Sequence, residues 1–164
     1  MINQIDSQKN SKFVIPALII IAALYLFIGI GNQLNVYDEA IAITGAWLTK
    51  SGLTPIKDFW TLYSPGWFYL LGAIQNLFGE SIIVSRIATT IITLATGLVL
   101  LILTKKIYQT NRFAIAFGIF IAWAGHFTFY SRALPAGVLC ILLSAFFIFR
   151  FFETKNNIHL IFAG

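Results

Sequence analysis

An all-α, polytopic membrane fold is the architecture this sequence predicts, and three observations predict it. The chain of 164 residues is 59% hydrophobic and only 10% charged, with a mean hydropathy of +0.84. A soluble domain uses about 25% charged residues to solvate its surface. Several apolar runs approach the roughly 20 residues that a helix needs to cross a bilayer. The basic residues behind the formal charge of +5 stand at the ends of those runs. There they orient a membrane protein, which argues against a nucleic-acid partner.

Taken in chain order, residues 1–12 are polar and are expected to form a disordered inside tail, with Lys9 and Lys12 flanking the membrane. A first span follows over 13–31, with Pro16 in its first turn, where a missing N–H costs little. This run is longer than the apolar stretch of a signal peptide, and no small-x-small cleavage pattern follows closely, so a retained signal-anchor helix is expected. Residues 32–81 make a long outside loop. Within it 39–51 reads as helical, with Asp38 as N-cap, Ile43 and Trp47 on one face, and Gly52 closing the end. Thr54-Pro55 then forces an extended turn into Lys57-Asp58-Phe59-Trp60.

The stretch 67–79 carries Gly72, Gln75, Asn76 and Gly79 as one polar stripe, opposite Trp67, Leu70, Leu71, Ile74, Leu77 and Phe78. It is short for a crossing and fits an amphipathic helix lying in the interface. Further spans are expected at 82–104, 113–130 and 136–152, and a last apolar start at 158–164 reads as a truncated one. The sum is about four complete transmembrane helices, with interfacial helices in the first outside loop and one domain over 13–164.

Charge placement supports that count. With 67–79 lying flat, the inside collects Lys9, Lys12, Lys105, Lys106, Arg112, Arg150 and Lys155 against Asp6 and Glu153. The outside holds Lys50, Lys57, Arg86 and Arg132 against Asp38, Glu39, Asp58 and Glu80. A crossing at 67–79 would move Lys105, Lys106 and Arg112 outside and reverse the positive-inside bias. The amino terminus is therefore expected inside.

Carboxylates close to hydrocarbon are expensive and need a reason. Asp38 and Glu39 directly follow the first span. One reading makes them a general base, or metal or sugar ligands, facing an interfacial cavity. The other makes Asp38 a helix cap and Glu39 a charge favoured by the helix dipole. Asp58 lies among Phe59, Trp60, Tyr63 and Trp67, aromatics that suit either an interfacial belt or stacking on sugar rings. Arg86 opens the second span, placed to neutralise a lipid phosphate or to pair with Asp38, Glu39 or Glu80. Arg132, in the next outside turn, either shares the phosphate or snorkels. Cys140 reads as a small packing residue. His126 and His159 have no partner spacing of a metal site, and Gly29-x-Gly31 ends a membrane helix rather than following a strand.

Taken together, Asp38-Glu39-Ala40, then Gly52-Leu53-Thr54-Pro55-Ile56-Lys57-Asp58-Phe59, Pro65, Tyr69, Leu77-Phe78-Gly79 and Arg86, resemble a known pattern. It is that of the polyprenyl-phosphate-sugar-dependent glycosyltransferases of the C-type superfamily, near the protein mannosyltransferase and aminoarabinose transferase families. The resemblance covers roughly residues 13–152. It implies that Asp38 acts as base toward an acceptor hydroxyl. Glu39, Asp58, Tyr63, Arg86 and Arg132 are then the candidates for substrate binding. Two positions depart from the pattern of some members: Ser64 stands where a basic residue precedes the loop proline, and Leu134 where an aspartate precedes the next outside proline.

The activity implied is sugar transfer from a polyprenyl-phosphate donor to a protein, lipid or glycan acceptor. It would take place at the outer face of a bacterial or archaeal cytoplasmic membrane. No nucleotide cofactor is called for, and a divalent metal stays open. Two other readings stand beside it. A small transporter subunit predicts charged or broken helices at mid-membrane, whereas every acidic residue here is at an end or in a loop. A non-catalytic module binding lipid phosphate or a partner chain shares every feature except a need for the Asp38 carboxylate.

Overall fold

The computed structural model describes residues 2–28, 30–31, 37–108, 112–125 and 133–164, with side chains described from Ile15 onward. Among them stand seven helices and no strand: α1 Ile2–Phe27, α2 Asp38–Lys50, α3 Pro65–Phe78, α4 Ile82–Tyr108, α5 Arg112–Gly125, α6 Leu134–Thr154 and α7 Ile158–Ile161. Two of these, over 82–107 and 134–154, are long and apolar enough to cross a membrane. That is fewer than the four expected. The described apolar parts of α1 and α5 cover Ile15–Phe27 and Phe113–Gly125. The sequence expected after α5, up to Tyr130, lies outside the described residues.

The amino-terminal stretch departs from expectation. Helix α1 runs from Ile2, so 2–12 is not a structureless tail and Pro16 stands inside a helix rather than in its first turn. Extending a helix from an existing one avoids the cost of nucleation, which lets a polar stretch follow an apolar one. The loop helices also start earlier than expected: α3 opens at Pro65, whose fixed φ suits a first helical position, two residues before the expected 67. Gly52, at φ 90°, closes α2 in a left-handed turn where its N–H donates to Thr49 O and that of Leu53 to Leu48 O.

Chain direction follows from side-chain neighbours. Lys105 lies over the Phe113 ring and a side chain at Gly97 would strike Phe117, so α4 and α5 are antiparallel. Thr96 meets Pro135 O while Lys106 meets Glu153, so α6 runs parallel to α4. Tyr25 of α1 packs on Gly125 at the end of α5. Ala22, Leu26, Leu101, Phe113, Phe117 and Ile121 form the apolar core of α1, α4 and α5. One end of the bundle therefore gathers the end of α1, the start of α4 and the end of α5, and the loop helices α2 and α3 sit there.

Helices α2 and α3 approach closely because small residues face each other. A Cβ on Gly45 would stand 2.3 Å from the Phe68 ring, and one on Gly72 would stand 3.0 Å from Ala46 O. Thr49 Oγ1 donates back into its own helix, 2.8 Å from Ala46 O, and sits 3.2 Å from Phe68 O at the crossing. The buried face of α2 is Glu39, Ala42, Gly45 and Ala46, while Trp47 is exposed. Ala42 and Ala46 join Trp67 and Leu71 in a second small core, against which Ile92 of α4 and Ala136 of α6 pack.

The polar stripe of α3 divides. Gly72 and Gln75 point inward, the latter donating to Ser85 Oγ at 3.0 Å, and Asn76 and Gly79 are exposed. On the apolar side Trp67 and Leu71 are buried, whereas Leu70, Leu77 and Phe78 are exposed. An amide buried without a partner would be costly, so Gln75 and Ser85 fix the register of α3 on α4.

Candidate functional site

Helix α2 begins at Asp38, with Tyr37 at the N-cap. Asp38 therefore occupies the first helical position rather than the cap expected for it. Successive helix residues are about 100° apart around the axis. Two adjacent carboxylates must then face different surroundings, and they do.

Glu39 falls on the face of Ala42 and Ala46, which turns inward. Its oxygens accept a fork of two hydrogen bonds from Arg86: Nε to Oε1 at 2.7 Å and Nη2 to Oε2 at 2.8 Å. Both side chains are almost wholly buried, at 0% and 3% exposure. Arg86 Nη1 also donates to the Ile30 carbonyl at 2.7 Å. Arginine's planar fork matches a carboxylate in this way, which makes the pair directional as well as charged. One guanidinium thus ties the turn after α1, the start of α2 and the second turn of α4. Of the partners open to Arg86, the structure selects Glu39; Glu80 pairs instead with Lys50 at 2.5 Å.

Asp38 faces the loop and is half-buried. Its Oδ1 accepts a hydrogen bond from the Tyr63 hydroxyl at 2.8 Å. Tyr63 is itself held. Its N–H reaches Thr61 Oγ1, that hydroxyl donates to Tyr63 O, and its ring lies 6.4 Å from Phe68. Phe68 rests on Gly45, and Phe59 meets it edge-on at 6.0 Å. Beside this aromatic row runs a groove of about 290 Å³, walled by Ile41, Thr44, Leu48, Phe59, Trp60 and Phe68. That is close to the lower limit, about 300 Å³, of ordinary small-molecule pockets. On α2 the groove is walled by residues from Ala40 to Leu48, beyond Asp38.

Asp58 is exposed and works locally. Its Oδ2 accepts from Thr54 N–H at 2.7 Å and its own N–H donates to Thr54 O at 2.9 Å. The Ile56 N–H donates to Phe59 O at 2.9 Å, and Ile56 is held at φ 75°. A β-branched residue there is an outlier worth about 1–3 kcal/mol of strain, kept only because its surroundings fix it. The carboxylate of Asp58 is part of what fixes it.

The structure therefore joins Asp38 to Tyr63 and Glu39 to Arg86, and leaves Asp58 in its own turn. Arg132 and His126 lie outside the described residues. Among the described residues no three His, Cys, Asp or Glu side chains gather as a metal site would, and Asp38 and Glu39 turn to different partners. What the sequence reading missed is the polar interior of α4. Ser85, Thr89, Thr90, Thr93 and Thr96 are buried, with each hydroxyl bonded to the carbonyl four residues before it. Ser85, Thr89, Thr93 and Thr96 recur at helical spacing within an apolar run, and that pattern marks a face turned toward protein. No family model, no curated protein and no solved structure matches this chain.

Proposed function

We propose that this chain carries the acidic loop of a membrane glycosyltransferase that takes sugar from a polyprenyl-phosphate donor, with Asp38 as the base. The observation that supports it most is the division between the two carboxylates. Glu39 is neutralised inside the fold, while Asp38 is half-buried and accepts a hydrogen bond from the Tyr63 hydroxyl. An acceptor hydroxyl gives its proton to Asp38, its oxygen bonds to the anomeric carbon, and the bond from that carbon to the phosphate oxygen breaks. Polyprenyl phosphate leaves with the bonding electrons. Arg86 already faces the Glu39 carboxylate and the Ile30 carbonyl, so we assign it a positioning role. The leaving phosphate falls to Arg132. An apolar groove of about 490 Å³ between α3 and α4, walled by Ile74, Phe78, Val84, Ile87 and Ile91, suits the tail of such a lipid.

In this reading the helices are embedded in the bilayer with the amino terminus inside and the site outside. The pairing of Lys106 with Glu153 supports it, because it puts the basic ends of α4 and α6 at the end of the bundle away from the site. A cysteine at Gln109, after Cys140 is replaced, should resist impermeant thiol reagents added outside. Rapid labelling would overturn the orientation.

The test of the chemistry is Asp38→Asn in membranes carrying the protein expressed from its own gene. Single-turnover transfer from a labelled polyprenyl-phospho-sugar should fall roughly 10²–10⁴-fold with donor binding near normal. Undiminished transfer would return Asp38 to a structural role and leave the non-catalytic module as the better reading.

A further inference from the structure

The turn at 54–59 combines two unfavourable features at its apex. Ile56 holds a backbone conformation that glycine adopts freely and a β-branched residue resists. Its apolar side chain is 73% exposed. The hydrogen bonds that hold this conformation run through backbone groups and Asp58, and would form equally well around a glycine, so the isoleucine side chain itself adds nothing to them. Trp60 and Leu62 follow at 78% and 64% exposure. Three large apolar side chains thus stand exposed within seven residues, Ile56 at the apex of the turn and Trp60 and Leu62 just after it.

We propose that residues 56–62 form a membrane anchor: Ile56, Trp60 and Leu62 enter the headgroup layer of an anionic bilayer, and Lys57 meets its phosphates. This rests on the membrane reading above. Lipid is the partner that fits, because the loop is tethered between α1 and α4 and is held against the start of α4 by the Glu39–Arg86 pair. Trp60 offers an apolar ring with a polar N–H, the form favoured at the water–hydrocarbon boundary. Lys57, exposed beside Ile56, adds a cation next to an apolar tip, as surface-bound segments do. Asp58 would oppose anionic lipid, but its carboxylate is turned back onto Thr54 N–H. The anchor would hold the groove beside Trp60 at the level of a lipid headgroup.

The experiment uses nitroxide labels at position 62 and, separately, at position 91 on α4, with Cys140 replaced, in vesicles of mixed phosphatidylcholine and phosphatidylglycerol. At 62, collisions with dissolved oxygen should exceed those with a water-soluble nickel chelate, at a depth just below the phosphates; at 91 the label should lie deep. Ile56→Gly, which the backbone accepts without strain, should shift the label at 62 toward water. Asp58→Ala, which opens the turn, should do the same. A deep label at 91 with a fully aqueous label at 62 overturns the anchor and spares the membrane reading. An aqueous label at 91 overturns both. A shallow label at 62 that ignores Ile56→Gly also overturns the anchor.

Discussion

The core of α1, α4 and α5 and the core beneath the loop helices are held together by different chemistry. The first is built from large apolar side chains, Leu26, Leu101, Phe113, Phe117 and Ile121 among them. Contacts of that kind have no preferred direction, and they weaken by degrees as volume is removed. The second places small residues, Ala42, Gly45, Ala46 and Gly72, around directional polar bonds: Glu39 to Arg86 and Gln75 to Ser85. Such bonds fix angle and register, and each leaves a buried polar group behind when its partner is lost. A site needs position more than it needs bulk, and Asp38 stands on the second kind of core.

The largest expected effect comes from breaking the buried pair. Arg86→Met alone should leave the Glu39 carboxylate uncompensated and cost about 3–5 kcal/mol, with Glu39→Met costing about as much. The double substitution to Met at both positions should recover most of that loss, because an apolar pair of similar volume is often neutral or better. Thermal unfolding in lipid discs measures all three. Additive losses in the double variant would show that the pair does not act as a unit. Phe117→Ala should cost about 3–5 kcal/mol by loss of packing, with Phe117→Leu far milder. A mild middle variant is what distinguishes this core, since Glu39→Gln should not be mild. The smallest effect is expected at Thr93→Val, at most about 1 kcal/mol, because its hydroxyl bonds only to the carbonyl of Thr89 on its own helix.

The parts that sequence made legible are those set by local chemistry. Gly52 closes α2, and the long apolar run of α4 starts at Ile82 as expected. The acidic pair was legible as a pair, but its division was not. Asp38, Glu39 and Glu80 were equal partners for Arg86 until the packing of Ala42 and Ala46 decided which carboxylate turns inward. That the carboxylate of Asp58 closes its own turn could not be read from its neighbours. The face of α3 was misjudged for a physical reason: a polar stripe next to another helix finds its partners there, and Gln75 does so in Ser85.

The claim that adjacent carboxylates have opposite roles can be measured without knowing the acceptor or the sugar. The protein in lipid discs is treated with a water-soluble carbodiimide and an amine nucleophile, and the peptide carrying both acids is followed by mass spectrometry over time. Asp38, half-buried and bonded to Tyr63 at the loop surface, should be modified first. Glu39, fully buried on Arg86, should stay unmodified until the protein unfolds, and Arg86→Met should expose it. Modification of Glu39 at the rate of Asp38 in the intact protein would contradict the account.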